Sequence, residues 1–194
     1  MKITYVTTNI GKVQSLERHL KPYGIEVTQK SVELPEPRSS DVKLIAEHKA
    51  RSAYKILKEP LVVLDAGFYV HSLNGFPRAF VNFALETIGL EGILNLVNGK
   101  SRECEFRECL AYIDDSLNEP QCFTSSIKGT VAEESRGVMQ KHLWSPLACI
   151  FVPLHANRTL GEMTEAEYVQ FWQDYPREDS CQKQFGEWFS ARKA

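Results

Sequence analysis

A mixed α/β protein is the fold class that the sequence predicts, and three patterns carry that prediction. Short β-branched runs alternate with helical ones through the first half. Two long alternating runs then follow close together at 103–114 and 121–132, and helical spacing returns near the C-terminus. Strand–helix units first and an antiparallel hairpin later belong together in a mixed sheet.

Each element has its own warrant. KITYVTT (2–8) alternates and is rich in β-branched residues, which makes it a strand. After the turn Asn9-Ile10-Gly11, Val13, Leu16 and Leu20 stand at helical spacing, so a helix begins near Gly11 or Lys12 and ends at Pro22 and Gly24. IEVTQKSV (25–32) is a second strand, and LPEPRSSD is a polar, proline-broken loop. Asp41 is the N-cap of a helix running to about Lys58. Beyond Pro60, LVVLDAG is an apolar run closed by Gly67, as in a buried central strand, and FYVHSL reads as another strand before the turn NGFPRAF. Residues 81–98 are helical in two pieces, broken around Gly89 and Gly92. ACIFVPL (148–154) is a further strand. Thr164, with Glu167 three residues on, opens a helix over 164–175 as a capping box, and a last helix runs from about Asp179.

Composition bounds the function. The 194 residues are 43% apolar and 25% charged, with 23 Lys+Arg against 25 Asp+Glu, a formal net charge of −2. This suits a single domain, 1–194, with a core that needs no disulfides. There is no basic excess to track a nucleic-acid backbone, and no apolar run approaches the ~20 residues of a membrane-spanning helix. No stable nucleic-acid complex and no membrane are therefore expected. The N-terminus lacks a signal peptide's apolar region, so a cytoplasmic location is expected. The five cysteines, Cys104, Cys109, Cys122, Cys149 and Cys181, have no zinc-type spacing. Cys104 and Cys109 point to opposite faces of one strand, and buried reduced thiols are the better reading.

Chemistry concentrates in four places. The first is the strand–turn–helix Thr7-Thr8-Asn9-Ile10-Gly11-Lys12, where a helix N-terminus gathers unpaired N–H groups. Thr8 and Asn9 add donors, and Lys12 adds a mobile positive charge. Such turns are common without any ligand, and no P-loop is present. The second is Asp65, a carboxylate at the expected carboxyl end of an apolar strand, where open α/β sheets place ligands. On this residue alone, a cap and a charged partner are equally good readings. Glu36, after Leu34-Pro35, and Lys49, in a helix, complete the set. Together they offer two carboxylates for a hard divalent cation and two lysines for phosphate oxygens.

In order along the chain, these motifs resemble those of the inosine/xanthosine triphosphate pyrophosphatases. The resemblance covers Thr7-Thr8-Asn9-Ile10-Gly11-Lys12, Leu34-Pro35-Glu36, Lys49-Ala50-Arg51-Ser52-Ala53, Leu64-Asp65-Ala66-Gly67 and Leu73-Asn74-Gly75-Phe76-Pro77-Arg78. It continues with Arg136-Gly137, Ile150-Phe151-Val152-Pro153 and Thr159-Leu160-Gly161-Glu162-Met163. It implies an elongated central mixed sheet with flanking helices, two lobes around a nucleotide cleft, and a homodimer. The implied activity is Mg2+-dependent cleavage of a nucleoside triphosphate to the monophosphate and pyrophosphate. By position, Thr8, Asn9, Lys12 and Lys49 would bind phosphate, and Glu36 and Asp65 the metal. Asp65 and Lys12 would be the catalytic residues.

Departures from the family pattern gather at the base end. The family's acids at 44 and 64 are Leu44 and Leu64, its glycine at 78 is Arg78, and the FG[YW]DP segment has become His142-Leu143-Trp144-Ser145-Pro146. Trp144, Tyr168 and Arg177 are the candidates for a rebuilt base pocket, whereas Phe171 and Trp172 are better read as helix packing. The expected function is thus a pyrophosphohydrolase with altered base specificity, for a non-canonical or modified nucleotide. The alternative is a weakened or inactive nucleotide-binding homologue with a regulatory role, because fewer acids weaken metal binding.

Overall fold

A computed structural model describes residues 1–175 and 180–193, and among these there are seven strands and six α-helices. The strands are β1 (Lys2–Val6), β2 (Glu26–Lys30), β3 (Leu61–Val70), β4 (Pro77–Arg78), β5 (Glu103–Ile113), β6 (Gln121–Val131) and β7 (Phe151–Pro153). The helices are α1 (Ile10–Leu20), α2 (Val42–Leu57), α3 (Val81–Thr87), α4 (Gly89–Leu96), α5 (Glu165–Asp174) and α6 (Cys181–Lys193). All seven strands form one mixed sheet of order β2-β1-β3-β5-β6-β7, with β4 paired to β3. β1 runs parallel to both β2 and β3, while β4 and β7 pair antiparallel to β3 and β6. Arg102 O accepts from Val131 N, and Ser125 Oγ reaches Glu108, so β5 and β6 run in opposite senses as the sequence predicts.

The sheet differs from expectation at three strands: β4 lies within the expected turn NGFPRAF, β7 is shorter than 148–154 because residues 146–149 form a 3-10 turn, and β3 is longer. LVVLDAG and FYVHSL are a single ten-residue strand, which places Asp65 in the middle of β3 and not at its end. Gly67 does not close this strand. A Cβ there would lie 2.7 Å from the Arg78 carbonyl oxygen, so glycine is needed for β4 to approach. Arg78 itself has φ +58°, a conformation that glycine adopts more easily, and its Nη2 donates to the Asn74 carbonyl at 3.0 Å. Further on, residues 81–98 are helical in two pieces, α3 and α4, as expected; the break falls at Ile88–Gly89, and Gly92 lies inside α4.

The chain divides into two compact units, each with its own core. The first comprises residues 1–66, 108–125 and α6. Its core joins Ile3, Tyr5, Leu16 and Leu20 to Leu64, Leu110, Tyr112, Phe123, Phe185 and Phe189. The small residues Ala46, Ala50 and Ala53, all fully buried, form the inward stripe of α2. The second unit comprises 67–107 and the described residues from 126 to 175. Phe68, Phe106 and Phe151 pack ring on ring there, with 4.9 Å between centroids for two of the pairs. The capping box of α5 is present: Thr164 Oγ1 accepts from Glu167 N, and Glu167 Oε2 accepts from Thr164 N at 2.9 Å. No helix among the described residues is long and apolar enough to cross a membrane.

α2 begins where Asp41 Oδ1 accepts the Lys43 N–H at 2.8 Å. Because α2 carries Lys49, this cap also steadies a site residue. Asp41→Ala should destabilise the chain by about 1 kcal/mol, read as a lower urea midpoint with an unchanged slope.

Candidate functional site

The turn at 7–11 is organised by its own side chains. Thr7 Oγ1 accepts the Asn9 N–H at 3.1 Å, and Asn9 Oδ1 accepts the Lys12 N–H at 3.0 Å, which caps α1. The cap uses the oxygen of Asn9 and keeps its amide nitrogen as a donor. The first turn of α1 has no acidic residue, so nothing there offsets the positive end of the helix dipole. Thr8 is exposed beside it. The Lys12 ammonium reaches across to the Leu64 carbonyl at 3.4 Å, the residue before Asp65.

Asp65 is 8% exposed and has a charged partner rather than a capping role alone. Its Oδ2 accepts from Lys49 Nζ at 2.6 Å, and its Oδ1 from Ala66 N at 3.0 Å. The same Lys49 ammonium is ion-paired with the Glu36 carboxylate. Two carboxylates from separate loops and strands thus converge on one cation. Burial alone would lower the Lys49 pKa, but Asp65, joined by Glu36, more than offsets this and holds it above the ordinary 10.5. Burial wins at Lys12, whose pKa falls below 10.5 although Asp65 opposes the shift; the positive charge of Lys49 pushes it the same way as burial. Lys12, Glu36, Lys49 and Asp65 are therefore one electrostatic unit, and all four belong to the first compact unit.

Two members of this neighbourhood escape the sequence reading. Glu108 on β5 is 1% exposed; it accepts from Ser125 Oγ at 3.0 Å and from Cys181 Sγ at 3.8 Å. Its charge supports the protonated form of Lys12. Tyr5 on β1 is fully buried, and its phenol is pushed well above its ordinary pKa by burial, then by Cys181, Glu108 and Asp65. The available signal for Glu108 was an acid inside the apolar end of a strand-like run, ECEFRECLAYI.

The base-reading candidates lie in the second unit. Trp144 is half-buried just before Ser145, whose Oγ caps the 3-10 turn at Pro146–Cys149. Tyr168 is 4% exposed, with its ring 4.9 Å from His142 and 5.9 Å from Trp172, and belongs to that unit's apolar cluster. Arg177 lies outside the described residues. Leu64 is buried in the apolar cluster of the first unit and Leu44 is 54% exposed, so neither position contributes an acid.

Because the folded pKa of Lys49 is raised, its ion pairs stabilise the fold at every pH below the unfolded lysine value, and that contribution is lost as pH rises through the raised value. The stability gap between the wild-type chain and Lys49→Met should stay flat from neutral pH to about 10 and narrow above it. Urea unfolding followed across that range measures this.

Comparison with known proteins identifies the family. The model of the Ham1 family matches residues 3–171. A dITP/XTP pyrophosphatase of Methanopyrus kandleri is 33% identical over 190 residues, covering 97% of this chain and 96% of the relative. One from Thermococcus kodakarensis is 34% identical over 168 residues, covering 86% and 88%. Among solved structures, a HAM1 protein from Coxiella burnetii superposes with a TM-score of 0.76 at 20% identity, covering 100% of this chain and 98% of the other. The resemblance read from the motifs is thereby borne out, and the chain belongs to the Ham1 family.

Proposed function

We propose that this chain is a Mg2+-dependent nucleoside triphosphate pyrophosphohydrolase, releasing a nucleoside monophosphate and pyrophosphate. Its base preference would differ from that of the relatives named for dITP and XTP. The observation that carries the reading is the convergence of Glu36 and Asp65 on one cationic point, beside Lys12 and the open N-terminus of α1. Carboxylate oxygens that share one ammonium suit a hard divalent cation equally well. No group of three or more His, Cys, Asp or Glu arranged for a metal is found among the described residues. Two carboxylates, with water and substrate phosphates as the remaining ligands, are the usual protein share of a Mg2+ site. When bound there, the ion would neutralise the phosphate chain and polarise it toward attack.

The chain's own residues would do the rest. The α1 N-terminus, Thr8, Asn9 and Lys12 hold the phosphate oxygens, and Lys49 adds a second cation. Asp65 orients a water and takes its proton as the oxygen attacks the α-phosphorus. The bond to the bridging oxygen breaks and pyrophosphate leaves. The base-reading role expected of Trp144, Tyr168 and Arg177 stays part of this proposal. Of the two described, Trp144 is half-buried, whereas Tyr168 is almost wholly covered.

With Mg2+ and a panel of ordinary and modified triphosphates, at least one substrate should release pyrophosphate, and Asp65→Asn should cut that rate at least about a hundredfold. Nucleotide binding by calorimetry without turnover would instead favour a non-catalytic homologue, the reading that Leu44 and Leu64 motivate. Silence in both measurements would overturn the proposal. Removing the competing ammonium gives a separate check. Lys49→Met should bind Mn2+ more tightly than wild type in the absence of nucleotide, by about tenfold, as read by electron paramagnetic resonance.

A further inference from the structure

One carboxylate of the charged site arrives on a segment that the fold itself hardly holds. Residues 31–41 run from β2 to α2 outside any strand or helix, and none of them is buried. Their backbone bonding stays local: Ser39 N donates to the Pro37 carbonyl at 2.9 Å, and Asp41 N to Ser39 Oγ at 3.0 Å. Among the described residues, no backbone–backbone hydrogen bond ties 31–38 to another element. Pro35 and Pro37, on either side of Glu36, have no N–H to offer a sheet ladder. The charged fastening is a single side chain. Glu36 is ion-paired with the Lys49 ammonium, which also donates to Asp65 Oδ2 at 2.6 Å.

The two carboxylates on Lys49 are not equivalent. Asp65 is fixed in the middle of β3, is almost wholly buried, and accepts from Ala66 N through its other oxygen. Taking away its counter-charge would strand a buried anion, which is costly. The Glu36 side chain is 60% exposed on a loop, so water takes it back readily when the pair opens. An anion that competes for Lys49 therefore exchanges with Glu36 and leaves Asp65 in place.

We propose that Glu36 stands in for a phosphate oxygen on Lys49, and that an oligophosphate displaces it and releases residues 31–40 as a strap. This rests on the reading of the charged cluster as a phosphate site. The ammonium has a third N–H, but a polyanion held there would press its charges against the Glu36 carboxylate. Exchange avoids that repulsion, because one anion leaves as another arrives. The contact is self-inhibitory: Glu36 lowers the affinity of the site for every anion and rejects those too weakly charged to displace it. Linkage works in the other direction as well, so whatever draws Glu36 away from Lys49 favours anion binding. The released carboxylate is the one that the proposed function gives to the cation. Arrival of the phosphate chain thus frees a ligand for the ion that must accompany it.

The test uses the full chain in EDTA, with inorganic tripolyphosphate as the probe. Trypsin reports on the strap, because Arg38 is exposed within it; cleavage after the exposed Lys100, in the second unit, is the internal standard. Tripolyphosphate should raise cleavage at Arg38 relative to Lys100 about threefold, the scale of one exposed ion pair. Glu36→Gln should show the raised ratio without the probe and no longer respond to it. By calorimetry it should bind tripolyphosphate about threefold more tightly than wild type. Glu33→Gln, which removes a charge from the same segment, should behave as wild type in both measurements. Binding by wild type with an unchanged ratio, equal or weaker binding by Glu36→Gln, or the same gains in Glu33→Gln would each overturn the strap alone. No binding by any of the three chains would overturn the phosphate reading, and the strap with it.

Discussion

The arrangement around β3 depends on one constraint: a carboxylate 8% exposed in the middle of a buried strand needs a counter-charge. Asp65 obtains it from Lys49, and Lys49 can deliver it because α2 presents Ala46, Ala50 and Ala53, and no bulky side chain, along its inward stripe. A larger residue at any of these three would lift the helix from the sheet and withdraw the ammonium. The cap at Asp41 and the alanine stripe are thus parts of the same device, which sets one nitrogen within hydrogen-bond reach of one oxygen. Glu36 then joins from the loop before the helix, where it needs only reach and charge.

A second tension follows from the first. Lys12 is brought near Lys49, and each ammonium disfavours the charge of the other, so Lys12 is the one that yields under burial. Asp65, Glu108 and Glu36 oppose that yielding. Without ligand, the two lysines, Asp65 and Glu36 balance in charge, and Glu108 leaves a small negative excess. On the proposed function, an incoming triphosphate would add several more negative charges to this balance. The α1 dipole is worth only about half an elementary charge, too little to absorb them. This deficit is the physical reason a divalent cation belongs in the proposal.

Much of this was legible in the sequence because it rests on local rules. Asp41 and the Thr164–Glu167 box announce helix starts, and the structure places both as caps; α1 starts at Ile10, just ahead of the expected Gly11, with Asn9 as its cap. Reading Gly67 as a strand end failed because its glycine answers to a tertiary contact, the Arg78 carbonyl, that no local rule contains. Glu108 was missed for a related reason. An isolated acid in a strand is usually solvated, and only the packing of α6 over that face buries it beside Cys181.

The division of the chain also separates the candidate residues into two sets. Lys12, Glu36, Lys49 and Asp65 all come from residues 1–66 and rest on a core built around Tyr5, Leu16 and Tyr112. Tyr168 belongs to a different core, around Phe68, Phe151 and Met163, and Trp144 lies in the same unit. Each core packs its own set of side chains. The 2.6 Å contact between Lys49 and Asp65 belongs to the first unit, and the segment His142-Leu143-Trp144-Ser145-Pro146 to the second. Leu44 and Leu64, where the resemblance implies acids, fall inside the first unit, with the four charged residues. Those two positions, more than any change near Trp144, bear on whether the proposed chemistry runs at full rate.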